Sequence, residues 1–335
     1  MVAARAVNTV KRLGFCITLA VASLSQWNGF ARAQDAYPSR PIRLIVSFTP
    51  GGGADLTART VGQGMAEVLR QQVVVENRPG ANGLVGAAAV AKSAPDGYTL
   101  VLTDRGALGV NPSLYKSLPY DPLQDFDYVG IVTSAAYVLV VDPKLGAKSL
   151  AELAKLAKSK PGGINYASFG IASMAQLNIE ALKARLGIDL AHVPYKGAGP
   201  AVQAVVAGEA GVTIASPAAV LGFVRDGRLR ALAIGAQGRS ALLPDVPTLA
   251  EAGGDDDTLV PTYFALALPA GTPRPIAERL YEAMKRALAT PQIAERLGAA
   301  GLEPTGGTGE ALRELVQRDI PRFRKIIQNI GIQPE

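Results

Sequence analysis

The sequence predicts an α/β protein built in two halves, each with a largely parallel sheet. Three observations carry that prediction. Short apolar runs rich in β-branched residues alternate with segments whose apolar positions recur at helical spacing. Clusters of Gly and Pro punctuate the alternation, as at 50–53, 161–163 and 269–273. At 335 residues the chain exceeds the usual size of one core, so two lobes are expected. With 48% hydrophobic and 19% charged residues, it is not a disordered chain.

The first 33 residues stand apart. Arg5, Lys11 and Arg12 precede an apolar run over 13–24, and Ala31-Arg32-Ala33 offers a small-residue cleavage site. This reads as a cleaved secretory signal peptide, too short for a membrane span. The only cysteine, Cys16, lies at the start of the apolar run, so lipid anchoring at the cleavage site is not expected. Four of the 34 basic residues and none of the 28 acidic ones lie in this segment. The remaining chain carries 30 basic and 28 acidic residues, a formal charge of +2. The high isoelectric point is therefore no argument for nucleic acid. Without cysteine the mature chain has no disulfide and must rely on its core.

Residues 41–48 read as a buried strand. Leu56, Val61, Met65, Val68 and Leu69 then mark one face of a helix. Residues 72–76 form a strand, 77–83 a turn-rich loop, 84–92 a small-residue helix and 98–103 a strand. The stretch 111–127, dense in Pro and aromatics, reads as loop. A strand follows at 137–141, then a helix with Ser149 and Glu152 as a capping box. Strand 164–167 leads to a helix whose capping box is Ser173 with Gln176. Gly197 to Pro200 opens another helix with Pro in its first position. Strands are expected at 212–216, 229–235 and 261–268, and amphipathic helices at 276–289 and 310–328. No solenoid repeat is present.

Catalytic chemistry finds little support. His192 is the single histidine, and no G-x-S-x-G elbow accompanies it. A strand-end histidine satisfied by its neighbours is the favoured reading. Zinc needs clustered His or Cys, which the mature chain lacks. The glycines at 51–53 lack the following Lys-Ser/Thr of a P-loop. Val202 stands where the dinucleotide fingerprint needs its third glycine. Asp255, Asp256 and Asp257 lack calcium-loop spacing and read as a solvated turn.

Three glycine-rich helix starts remain, at 51–55, 170–173 and 197–200. Each offers bare N–H groups and the positive end of a helix dipole, which favour an anion. The first reads equally as a tight turn without a ligand. If the first two face each other across a cleft, they could grip a small carboxylate. Arg105 follows a strand end, where α/β ligand sites form. Its guanidinium could pair with a carboxylate, or bridge to Asp104 at the surface.

The stretches YPSRPIRLIVSFTPGGGADLTAR (37–59), VVVENRPGANGLVGAAAVAKSAPDGYTLVL (73–102), NPSLYKSLPYDPLQDF (111–126), HVPYKGAGPAVQAVVAGE (192–209), GRLRALAIG (227–235), LPDVPTLAEAG (243–253) and LALPAGTP (266–273) carry a resemblance. Together they resemble the Bug-type periplasmic solute receptors of tripartite tricarboxylate transporters. The resemblance implies a two-lobed, type II-like periplasmic binding protein, with its ligand in the cleft between lobes. The first lobe would hold 34–135 with 250–335, the second 136–249. It implies a monomer without cofactor or metal that hands a small carboxylate to a two-component membrane permease. By the same resemblance the site comprises Phe48, Pro50, Gly51, Gly52, Gly53 and Asp55 in the first lobe. Ser168, Phe169, Gly170, Ile171, Ala172, Ser173, Lys196, Gly197 and Ser216 belong to the second.

Two departures bear on the ligand. Family members commonly carry Gly, Ser or Thr around position 105, where this chain has Asp104, Arg105 and Gly106. The second-lobe loop is usually small and polar; here it carries Phe169 and Ile171. An apolar wall and a cation at Arg105 point to a dicarboxylate or an aromatic acid of terephthalate or phthalate type. An amino acid would need an acidic partner, which Asp55 or Asp104 could supply. Two rival roles are a receptor signalling to a membrane histidine kinase and a periplasmic enzyme on a related acid.

Overall fold

β1 (Ile42–Val46) is the strand from which the first sheet is organised. Its apolar residues Leu44, Ile45 and Val46 are buried because neighbours flank it on both sides. β2 (Val73–Asn77) and β3 (Thr99–Asp104) pair with it in parallel. The computed structural model describes residues 37–255 and 258–334, so the expected signal peptide and its Cys16 lie outside the described residues, as do Asp256 and Asp257.

The first sheet is completed from distant parts of the chain. β4 (Phe126–Ala135), β10 (Thr262–Pro269) and β11 (Glu303–Thr308) give the order β11-β4-β10-β3-β1-β2. The pairings of β10 with β3 and β4, and of β11 with β4, are antiparallel. The second sheet contains β5 (Tyr137–Val141), β6 (Asn165–Ser168), β7 (Ala191–Pro194), β8 (Val212–Ala215) and β9 (Arg230–Gly235), in the order β7-β6-β8-β5-β9. β6 runs parallel to β7 and β8, whereas β5 is antiparallel to β8 and β9. Both sheets are therefore mixed rather than largely parallel. The chain passes from β4 into β5, and later from β9 back to β10, without a crossover helix to reverse its direction.

Helices follow the parallel strands. α1 (Gly53–Leu69) follows β1 and α2 (Leu84–Ala91) follows β2. A π-turn at Gly106–Val110 and the short α3 (Asn111–Leu114) follow β3, inside and beside a stretch read as loop. In the second half come α4 (Leu150–Ser159), α5 (Met174–Leu186), α6 (Ala198–Ala207) and α7 (Pro217–Arg225). α8 (Arg274–Leu288), α9 (Pro291–Ala299) and α10 (Gly309–Asn329) close the chain. Ser149 and Ser173 cap α4 and α5 as the sequence predicts, accepting from the N–H groups of Glu152 and Gln176. Pro200 falls at the third position of α6 rather than the first, where the missing N–H costs equally little.

The core of each sheet is apolar on both faces, with Leu139, Tyr166 and Ile214 central to the second and Ile45, Val101 and Phe126 to the first. A smaller cluster joins them. Phe323 and Ile327 of α10 pack with Val110, Val260 and with Met174 and Leu177 of α5. Beside it, buried Asn178 donates to the Val260 carbonyl at 3.0 Å and accepts from the Val260 N–H at 3.1 Å. The chain segment returning from β9 to β10 is thus held against α5.

Candidate functional site

The carboxyl ends of β1, β2 and β3 feed the loops before α1, α2 and the π-turn. The carboxyl ends of β6, β7 and β8 likewise feed α5, α6 and α7. In open α/β sheets such edges are where ligands bind, because helix N-termini collect there. Each of the predicted loops sits at one of them.

In the first half the loop is stitched by a carboxylate. Asp55, only 6% exposed, accepts from the Gly51 N–H at 3.0 Å, from Asn77 Nδ2 at 2.9 Å and from Arg59. Asn77 Nδ2 also donates to the Phe48 carbonyl at 3.1 Å. The Arg59 guanidinium, with these hydrogen bonds, pulls the Asp55 carboxyl down to about 2 against the cost of its burial. Asp55 therefore already occupies the anion-favouring start of α1 and is not free to meet a ligand ammonium. Pro50, Gly51, Gly52 and Gly53 are exposed around it, and Gly51 takes a left-handed φ of 84°. The Phe48 ring is half-buried and meets Phe264 edge-on at 6.5 Å.

The loop that approaches Phe48 through Gly83 also holds Asn82, which sequence reasoning passed over as part of a turn-rich loop. Its left-handed backbone, φ 51°, is locked by Asn111. Asn82 Nδ2 donates to Asn111 Oδ1 at 3.0 Å, and Asn111 Nδ2 returns a bond to the Asn82 carbonyl at 3.2 Å. The following Gly83 is needed for close approach, since a Cβ there would lie 3.2 Å from the Phe48 ring.

A cavity of about 380 Å³ opens between Asn82, Leu114 and Tyr115 on one side and the whole loop Phe169, Gly170, Ile171, Ala172 and Ser173 on the other, with Ile332 and Gln333 nearby. Five of the predicted residues thus come together in one concavity. Phe169 leans on Tyr137 at 6.4 Å, while Ile171 stands 71% exposed at the rim. Ser168 is fully buried: its hydroxyl donates to the Gly170 carbonyl at 3.0 Å and meets His192 Nε2 at 2.6 Å. Gln176, on the first turn of α5, accepts from the Ala172 N–H at 2.7 Å.

Other predicted residues lie outside this cavity. Lys196 is exposed, Gly197 precedes α6, and Ser216 precedes α7 without a side-chain cap bond. Gly301, beside Leu302 that packs near Gly53, lies close to Ala218 in the first turn of α7. Leu114, Ile332 and Gln333 carry no sequence signal of a site, because only the fold brings them there.

Arg105 requires a correction. It lies outside the 169–173 cavity and lines a separate one with Val260, Pro261 and Asp319, and it is not a surface residue bridged to Asp104. It is 5% exposed, its Nε lies 3.0 Å from Asp319 of α10, and its Nη1 donates to the Pro261 carbonyl at 2.7 Å. Its guanidinium also faces the Tyr263 ring at 4.9 Å. The guanidinium thus faces Asp319 and the Pro261 carbonyl rather than the 169–173 cavity. Gly106 is buried by close packing: a Cβ would sit 2.9 Å from Asn82 Nδ2 and 3.1 Å from Asp104 Oδ1. Asp104 itself accepts from the Ala107 N–H at 2.9 Å, and burial pushes its carboxyl up to about 6.

Residues 57–332 match the family model described as tripartite tricarboxylate transporter family receptor. The chain belongs to this receptor family. Among solved structures, periplasmic binding protein BugD is 30% identical, with a TM-score of 0.74 over 89% of this chain and 100% of its own. Rpa4515 of R. palustris, solved with adipate, is 31% identical, with a TM-score of 0.76 over 89% of this chain and 100% of its own. MatC of Rhodopseudomonas palustris, solved with bound malate, is 33% identical, with a TM-score of 0.72 over 87% and 99%. The family is one of solute-binding receptors, and two of these relatives hold carboxylates. Among the described residues, no helix is long and apolar enough to cross a membrane, and no group of acidic, His or Cys side chains could hold a metal.

Proposed function

We propose that the chain is a periplasmic receptor, exported behind a cleaved signal peptide, that captures a dicarboxylate or an aromatic acid and delivers it to a two-part membrane permease. One observation carries the ligand class: the cavity pairs an α5 start with an apolar wall. Ser173 satisfies only the Gln176 N–H at 3.4 Å, and the remaining first-turn N–H groups have no intrahelical acceptor. With the helix dipole these donors favour one carboxylate. Phe169, Ile171, Leu114 and Ile332 suit an apolar body, and Asn82 and Gln333 offer amides for its far end. With Arg105 committed to Asp319, the second acidic group would be met by neutral donors rather than by a cation.

The two relatives with adipate and malate support this class. We further propose that residues 34–135 with 250–335 and residues 136–249 act as two lobes closing over the ligand. The test is thermal unfolding against a panel of aliphatic and aromatic mono- and dicarboxylates. A ligand at a hundred times its Kd stabilises by about 2.7 kcal/mol, a rise of several degrees for lobes of this size. A shift confined to diacids and aromatic acids is expected; no shift with any carboxylate would remove this reading.

A further inference from the structure

His192 and Gln176 form a chain of hydrogen bonds whose direction is fixed from one end. The Ala172 N–H can only donate, and it meets Gln176 Oε1 at 2.7 Å. The other atom of that amide, Nε2, is then a donor, and it lies 3.2 Å from His192 Nδ1. Nδ1 must therefore accept, which puts the imidazole proton on Nε2. That proton points to Ser168 Oγ at 2.6 Å, leaving the serine hydroxyl to donate to the Gly170 carbonyl. The Gly170 N–H returns to Ser168 Oγ at 3.2 Å. Each donor meets an acceptor only while the ring is neutral. In this tautomer Nε2 has no lone pair for the Ser168 proton, so the pair is not a nucleophile with its base.

The loop held at the end of this chain is strained. Ala172 has a left-handed φ of 56° and Gly170 one of 131°. A non-glycine residue stays in that region only when its surroundings hold it there.

We infer that Gln176 and His192 are positioning residues for the 169–173 wall of the cavity, and that protonation of His192 releases it. One proton from solvent adds to Nδ1, and nothing leaves. The Gln176 amide must then turn its oxygen to the new N–H, which sets its NH₂ against the Ala172 N–H. Two donors face each other, and Ala172 loses the bond that holds its backbone. For ligand binding the inference rests on the receptor reading above.

The groups facing the ring act in both directions. Tyr166 stacks on it at 4.9 Å and hydrogen-bonds Glu180 at 2.5 Å. Lys183 bridges Glu180 at 3.1 Å and Asp189 at 3.6 Å. Burial disfavours the imidazolium most, Glu180 favours it and Lys183 opposes it, so the pKa is lowered and the ring stays neutral at neutral pH. Release belongs to acid.

The chain has one histidine, so protein made without a histidine tag gives an unambiguous imidazole signal. Nitrogen-15 spectra at pH 7.5 should show the Nε2–H tautomer. The Ala172 and Gly170 amides should move with the His192 midpoint on acidification. The Kd of adipate, the probe, should rise across the His192 midpoint found in those spectra by at least fivefold more than in His192→Gln over the same pH range, a comparison that cancels adipate's own titration. Gln176→Glu supplies the rescue: its carboxylate accepts from the Ala172 N–H and from Nδ1–H together. In that variant the His192 midpoint should rise and the Ala172 amide should stay put. An Nδ1–H tautomer, an Ala172 amide indifferent to His192, or equal Kd ratios would overturn the inference. If no carboxylate binds at any pH, the receptor reading fails, and the amide titration alone decides the coupling.

Discussion

Asp55 shows how a residue that looks like a ligand group becomes part of the wall. Its carboxyl, held at about 2, stabilises the fold above the ordinary carboxylate range, and that contribution is lost as pH falls through 2. Asp55→Asn should cost about 1 kcal/mol at pH 7, discounted because Arg59 is half exposed. In urea unfolding the gap should close as pH drops from 4 toward 2. Asp104 has the opposite sign. Its folded pKa of about 6 lies above the ordinary 3.8, so its contribution is fully present below 3.8 and lost as pH rises through 6. Asp104→Asn keeps an acceptor for the Ala107 N–H and should raise Tm by about 2–6 °C at pH 7.5, with the gain vanishing toward pH 3. Arg105→Ala strands a buried Asp319 and should cost about 3–5 kcal/mol. Carboxylate affinity should stay within a factor of two, measured by calorimetry at a temperature where the variant is folded. These three residues mark where reading the sequence stopped. Gly170, Ala172 and Ser173 were legible as a glycine-rich, capped helix start, a signal contained within a few positions. The partners Asp319 and Asn77 sit far from Arg105 and Asp55 in sequence, and no local pattern announces them.

Most strands and helices were legible because each carries its own period. β1, β3, β5 and β9 are apolar runs bounded by turns, and α1, α8 and α10 show one apolar face. β4 escaped because Asp127, Gly130 and Ser134 break its apolar run and its pairing slips at two bulges. Gly130 is demanded from across the sheet, where the Gly307 carbonyl leaves no room for a side chain. β11, Glu-Pro-Thr-Gly-Gly-Thr, has almost no strand propensity and exists because β4 offers it an edge. Helix packing has a comparable demand at Gly64 of α1. A Cβ there would lie 2.7 Å from Ala287 of α8 and 2.5 Å from Ile293 of α9. Gly64→Ala would gain about 1 kcal/mol of helix propensity, yet overpacking of about 1–3 kcal/mol should prevail. Urea unfolding should show a lower midpoint with the slope unchanged.

At the scale of the whole molecule, the two sheets, a likeness to periplasmic receptors and a cavity between their loops agree with one another. Asn178 is the residue that ties the returning chain to α5, and nothing in its helical neighbourhood set it apart as a sequence. Asn178→Ala leaves the buried N–H and carbonyl of Val260 without partners and should cost about 2–4 kcal/mol, with hydrogen exchange at Val260 accelerated to match. The strand order has a further consequence, one of timing. The second sheet uses only residues 137–235, an unbroken stretch of chain. The first sheet has β10 at its middle, between β3 and β4, and β10 is made after that whole stretch. While the chain is being synthesised, the early half must wait with an unfilled centre until β10, which ends at Pro269, has been made and released. The half begun first is therefore finished last.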